Sequence, residues 1–160
     1  MLDALSIVLF RPKYSENVGA AARACANMGV SRLILVDPPA FAIDRARPMA
    51  TSKGGLLLDA LEIVPTLSEA VAGAEVVYGT TARLGGWRTG VITPEQAAPE
   101  ACRTLAGGGK VAVVFGPEDA GLSNRETQLC SRLVNIPTAG GATSLNLAQA
   151  VLLLCYEIFK

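Results

Sequence analysis

The chain has 160 residues, 51% of them hydrophobic, with a mean hydropathy of +0.39, which suits one domain with a real core and excludes a disordered chain. Formal net charge is zero, and histidine is absent, which excludes Ser-His-Asp and Cys-His mechanisms and the common histidine metal sites. The longest apolar run, Val151 to Cys155, is far below the ~20 residues of a membrane span, and Cys25, Cys102, Cys130 and Cys155 form no CxxC pair, so reduced thiols in a cytoplasm are expected instead of a zinc site or a disulfide framework.

Ser6 to Phe10 is an apolar run of strand length, and no basic stretch precedes it, so a signal peptide is not expected. A polar loop from Arg11 to Glu16, marked by Pro12, leads to a helix over Asn17 to Met28. Val18, Ala21, Ala22, Cys25 and Met28 recur there at helical spacing, and Gly29 can end it. Arg32 to Asp37 is the second strand, broken by Pro38 and Pro39. Ala40 to Lys53 is loop-like, and Gly54 to Leu61 is expected to be helical. Ile63 and Val64 form a short strand. Thr66-Leu-Ser-Glu69 has the capping-box pattern and opens a short helix that Gly73 closes.

Glu75 to Thr80 is another strand, followed by a loop over Thr81 to Val91 that contains Arg83, Trp87 and Arg88. Thr93-Pro-Glu-Gln96 repeats the capping box with proline at the first helical position, and Gly107 to Gly109 stops that helix. Lys110 to Phe115 is the clearest buried strand. Ser123-Asn-Arg-Glu126 is a third capping box and starts a helix toward Cys130. Val134 and Ile136 end a last short strand, and Thr143 and Ser144 stand at the head of a helix that runs nearly to Lys160.

Strands alternate with helices, and the strands are continuously apolar. That is the pattern of an α/β fold, a parallel sheet flanked by helices, here in a single domain over residues 1–160. Ligands bind such sheets at the carboxyl ends of the strands, so the loops after Phe10, Thr80, Phe115 and Ile136 share the functional edge.

Each loop has two readings. Arg23 in Asn17-Val-Gly-Ala-Ala-Ala-Arg23 lies about 140° around the helix from Val18, away from the apolar stripe; alone, it is a solvated helix arginine. Phe115-Gly-Pro-Glu-Asp-Ala-Gly-Leu122 places Glu118 in a tight turn, either as a functional acid or as a cap. Asn135 to Val151, rich in small residues, is either a ligand cradle or a plain strand–turn–helix connection. No loop has GxGxxG or GxxxxGK[ST]. Between Arg11 and Lys53 seven basic residues face only Glu16, Asp37 and Asp44, which suits a polyanion partner or an ordinary solvated surface.

NxGxxxR after the first strand, FGPExxGL after a later one and IPxxxxxxSLNLxxAV near the end occur in that order. With these motifs the whole chain resembles the SpoU/TrmH group of SPOUT RNA methyltransferases. Gly79-Thr-Thr-Ala-Arg83 and Ser144-Leu-Asn-Leu-Ala-Gln-Ala-Val151 bring it nearest the TrmJ branch, which acts on tRNA in the anticodon loop and usually carries a further C-terminal segment. The TrmL branch, acting at the wobble ribose, and rRNA 2′-O-methyltransferases are the alternatives within the group. A non-catalytic knotted RNA-binding module is the alternative of another class.

The resemblance implies a C-terminal trefoil knot and 2′-O-ribose methylation with S-adenosyl-L-methionine. It also implies an RNA substrate, tRNA in particular, a homodimer, no metal and no membrane. Carried over, the cofactor contacts fall on Thr80, Thr81, Ala82, Gly116, Ile136, Thr143, Ser144 and Leu145, and the functional positions on Asn17, Arg23, Glu118, Ser144 and Asn146.

Overall fold

The apolar runs assemble into one six-stranded sheet in the order β3-β2-β1-β5-β4-β6, with every pairing parallel. The strands are β1 (Leu5–Phe10), β2 (Arg32–Val36), β3 (Glu62–Val64), β4 (Val76–Thr80), β5 (Val111–Phe115) and β6 (Arg132–Val134). This computed structural model describes residues 2–82, 90–139 and 145–160. The central strands are apolar on both faces because both are covered. Ile7, Leu9, Leu33, Leu35, Val113 and Phe115 enter one core; Val8, Ile34, Val36, Ala112 and Val114 enter the other.

The larger core lies under α1 (Ser15–Asn27), α2 (Ile43–Asp59), α4 (Pro94–Ala106) and α6 (Leu147–Phe159). The smaller one is closed by α3 (Leu67–Val71) and by Leu122 and Cys130, either side of α5 (Asn124–Thr127). The capping signals act as read. Thr93 and Gln96 exchange both capping bonds, the Thr66 hydroxyl accepts from Glu69 N, and the Glu126 carboxylate accepts from Ser123 N.

Three boundaries differ from the sequence expectation. Residues 43–53 are helical, not loop: α2 buries Ala46, Ala50, Gly54 and Leu58, a stripe at four-residue spacing made of small side chains that carry little hydropathy. Pro48 and a kink at Thr51, whose φ of 60° leaves the helical region, interrupt that stripe. The helix expected from Ser123 toward Cys130 is a single turn, because the chain must enter the ladder at Ser131, whose N–H donates to Val77 O at 2.7 Å. The last helix begins at Leu147 with Asn146 as its cap, not with Thr143 and Ser144, which lie outside the described residues. Arg83, Trp87 and Arg88 lie outside them as well.

Gly19 explains the glycine of the first motif. A Cβ there would overlap the carbonyl oxygen of Ala46, so α1 and α2 touch backbone to backbone. Further along, the position a Cβ would take on Gly54 lies 3.0 Å from Arg23 N. Among the described residues no helix is long and apolar enough to cross a membrane.

Candidate functional site

At the carboxyl edge, the loops after β4, β5 and β6 enclose a cavity of about 490 Å³. Thr80, Thr81 and Ala82 form one wall, Gly116 to Leu122 a second, and Asn135, Ile136 and Thr138 a third; Leu145, Leu147 and Ala150 close the base from the start of α6. Hydrogen bonds to main-chain carbonyls hold these walls. Thr81 N donates to Val134 O at 2.9 Å, and the Asn135 amide donates to Thr81 O at 2.7 Å. On the other flank Ile92 N donates to Leu133 O at 3.0 Å and Asn135 N to Ile92 O at 2.9 Å. Residues 133–135 are therefore clasped between Thr81 and Ile92, the two ends of one connection.

The second wall is a tight turn, closed by Gly121 N donating to Pro117 O at 2.9 Å. A Cβ on Gly116 would overlap the main chain of Gly121 and Leu122, so no larger residue fits the turn as it stands. Glu118 is the hub. Its Oε1 accepts from Lys13 N at 2.7 Å, and its Oε2 accepts from Tyr14 N and the Asn17 amide, both at 3.0 Å. Asn146 donates to Asn17 Oδ1 at 3.4 Å and accepts from Ala148 N and Gln149 N, capping α6. Lys13 Nζ adds an ion pair to Asp119 at 3.4 Å, also on the cavity wall.

Six of the residues expected to contact a cofactor line this one cavity: Thr80, Thr81, Ala82, Gly116, Ile136 and Leu145. Thr143 and Ser144 lie outside the described residues. Glu118, Asn17 and Asn146 form one hydrogen-bonded chain; Arg23 is exposed on α1 and is not part of the cavity wall. Sequence reasoning missed Asn135, whose side chain fastens the clasp, and the amides of Lys13 and Tyr14. Main-chain donors have no sequence signature, so those two had no signal to find.

The basic front shrinks once folded. Arg11 pairs with Asp37, Lys13 with Asp119, Arg32 with Glu62 and Arg47 with Asp59. Arg23, Arg45 and Lys53 remain without a carboxylate partner among the described residues, and all three are exposed.

A parallel sheet with a loop-walled cavity at its carboxyl edge defines an α/β domain of the class that takes a small ligand where its strands end. The chain belongs to the SpoU rRNA Methylase family, whose model matches residues 4–156. It is 43% identical over 159 residues to the tRNA (cytidine/uridine/adenosine-2′-O-)-methyltransferase TrmJ of Pseudomonas aeruginosa (strain UCBPP-PA14), covering 99% of this chain and 61% of that protein. The crystal structure of TrmJ from Z. mobilis ZM4 superposes with a TM-score of 0.86 at 40% identity, over 97% of this chain and 68% of that one. The SpoU methyltransferase AviRb of Streptomyces viridochromogenes, solved with the cofactor AdoMet, gives a TM-score of 0.70 at 26% identity, over 96% of this chain and 56% of that one. The chain thus spans about three fifths of the length of the Pseudomonas relative.

Proposed function

We propose that this protein is an S-adenosylmethionine-dependent RNA 2′-O-ribose methyltransferase that acts on tRNA in the anticodon loop, in the cytoplasm. The observation that carries the reading is the convergence at the carboxyl edge. The loops after β4, β5 and β6 wall one cavity, and Glu118 of that wall reaches Asn17 and, through it, Asn146. The 43% identity to a TrmJ and the 0.86 TM-score to another favour the anticodon loop over the wobble ribose and rRNA.

The residues present fit the cofactor. A volume of about 490 Å³ lies within the roughly 300–1,000 Å³ typical of small-molecule pockets. Gly116 leaves the main chain bare, and the Thr80 hydroxyl is tied back to Val114 O at 3.1 Å, so the wall offers main-chain edges and small side chains. When bound, the cofactor supplies a methyl group on a sulfonium sulfur, already activated for transfer. Thr80, Thr81, Ala82, Gly116, Ile136 and Leu145 would hold it, with Thr143 and Ser144 added from the family motif.

The chain's own task is to align the ribose and assist loss of its proton. Arg23 holds the target phosphate and stabilises the developing alkoxide. A planar cation with fixed N–H donors suits that role better than proton abstraction. Arg45 and Lys53, on the helix packed against α1, add phosphate contacts. Glu118 fixes Asn17 and the first loop, Asn146 ties Asn17 to α6, and Ser144 orients the ribose.

The chain is a homodimer in this reading. α6 buries Leu147, Val151, Leu154, Cys155 and Ile158 within one chain and leaves Leu152, Leu153, Tyr156 and Phe159 exposed. A second copy covers such a patch with two-fold symmetry. The clasp of residues 133–135 between Thr81 and Ile92 supports the C-terminal knot that the family resemblance implies.

Labelled S-adenosylmethionine and unmodified tRNA, followed by nucleoside mapping, test the activity. A 2′-O-methylated anticodon-loop nucleoside is expected; cofactor binding by calorimetry without any transfer would favour the RNA-binding module instead. Sedimentation equilibrium at micromolar concentration tests the dimer, which a 16.6 kDa species that still methylates RNA would rule out.

A further inference from the structure

Three large aromatic side chains among the described residues are exposed: Tyr14, Tyr156 and Phe159. The last two ride the far end of α6, away from the cavity. Tyr14 stands at the carboxyl edge, on the residue before α1, and its side chain is 51% exposed.

Its main chain is fixed on both sides. Tyr14 N donates to the Glu118 carboxylate at 3.0 Å, and Tyr14 O accepts from Asn17 N at 3.1 Å and Val18 N at 3.4 Å. The hydroxyl has no hydrogen-bond partner among the described residues. The ring therefore stands on a hydrogen-bonded base one residue from Lys13, whose ammonium lies 5.8 Å from the ring centroid. A half-exposed ring beside a cation, its main chain anchored to the wall of the cavity, has the make-up of a stacking platform for an unpaired base. Single-stranded RNA loops are read by splaying bases onto aromatic faces, with a neighbouring cation for the phosphate.

We infer that Tyr14 stacks on a nucleobase of the RNA substrate, with Lys13 exchanging its exposed ion pair with Asp119 for the adjoining phosphate, and so sets which loop nucleotide reaches the methyl donor. The inference rests on the RNA methyl-transfer reading above. Any unpaired base offers a π-face, so the platform tolerates base identity and selects for an unstacked loop nucleotide over a helical one. The anchoring bonds come from the main chain of Tyr14, so substituting the side chain leaves the link to Glu118 in place.

The test compares wild type with Tyr14→Ala, Tyr14→Leu, Tyr14→Phe and Tyr14→Trp on an anticodon stem-loop RNA. Methyl-transfer KM is measured beside the RNA Kd by fluorescence anisotropy and the S-adenosylmethionine Kd by calorimetry. Tyr14→Ala and Tyr14→Leu are expected to raise the RNA KM and Kd about tenfold or more, with cofactor affinity unchanged. Tyr14→Phe and Tyr14→Trp, which keep a ring, bring both back toward wild type. In a series of stem-loops with one abasic loop position each, one RNA weakens wild type and loses no further affinity with Tyr14→Ala. Equal RNA affinity for wild type and Tyr14→Ala overturns the inference, as does a Tyr14→Ala variant whose sedimentation mass differs from wild type, which would place the ring in a contact between chains. A wild type that binds the stem-loop but transfers no methyl group refutes the proposed function, and the anisotropy series still decides the stacking.

Discussion

Removing the Glu118 carboxylate should loosen the site more than any other single change outside the core. Glu118→Ala strands three donors, Lys13 N, Tyr14 N and the Asn17 amide. A hydrogen bond to a charged acceptor contributes roughly 1.5 kcal/mol or more, but this side chain is half-buried and water can take up the two loop amides. Discounting for that leaves about 2 kcal/mol. For a domain of this size, about 1 kcal/mol moves Tm by roughly 2–4 °C, so a fall of about 4–8 °C is expected in differential scanning calorimetry. Glu118→Gln keeps one acceptor oxygen and should lose about half as much. Because Asn17 loses its anchor and Asn146 its partner's orientation, methyl transfer should also drop about tenfold, equivalent to about 1.4 kcal/mol. A Glu118→Ala variant with wild-type Tm would refute the reasoning, since the three bonds would then carry no net stability.

Three further outcomes follow from other parts of the molecule. Arg23→Ala should abolish most methyl transfer while calorimetry finds cofactor affinity intact, and Arg23→Lys should fail too, because an ammonium does not replace the planar fork; wild-type turnover in either would remove Arg23 from the mechanism. Gly19→Ala drives a methyl group into the Ala46 carbonyl, a main-chain atom that cannot rotate aside, and should lower stability by about 2–3 kcal/mol, read as a Tm loss of about 4–12 °C. Burial, with the Glu126 charge second, pushes the Cys130 thiol up to about 11, and a hydrogen bond with Cys155 followed by burial raises Cys25. At pH 8 both stay protonated, so native protein should leave them unalkylated by iodoacetamide, with mass-spectrometric labelling appearing only on unfolding.

Where the sequence was legible, it was so for a physical reason. Four of the strands, β1, β2, β4 and β5, announce themselves because both faces of the sheet are covered there, which removes polar residues from runs such as Val111–Phe115. The capping boxes are legible because their bonds close within four residues, as Thr93 and Gln96 show. The first half of α2 was not legible because its buried stripe there is only Ala46 and Ala50, with Ala46 against Gly19, and because Pro48 and the kink at Thr51 break the helical signal. The start of α6 was misread for a related reason. Thr143, Ser144 and Asn146 are all good caps, and what marks Asn146 is the pair of bonds it accepts from Ala148 and Gln149, which no one-dimensional pattern displays. The loops that wall the cavity were legible from the strand alternation, which puts them at the carboxyl edge, while the individual wall residues were legible only through the family motifs.

Strand order explains why three motifs so far apart in sequence compose one site. β1 and β5 are neighbours in the sheet, and their register pairs Leu9 with Phe115. The two chains therefore leave the sheet side by side. Glu118, three residues past its strand, meets Lys13 and Tyr14, three and four residues past theirs, across a sequence separation of 105 and 104 residues. The helix after β1 then carries Asn17 one turn further, where it meets Asn146 across 129 residues because α6 folds back against α1. One carboxylate is thus shared between the wall of the cavity and the loop that faces solvent beside it. A displacement of Lys13 or Tyr14 by an incoming polyanion must move the Glu118 carboxylate or break its bonds, and Glu118 sits in the 116–122 turn that walls the cavity. The outer loop and the cavity wall consequently respond as one unit. In the proposed enzyme, RNA docking on the first loop and cofactor seating in the cavity would be linked in binding free energy, each strengthening or weakening the other by the same factor.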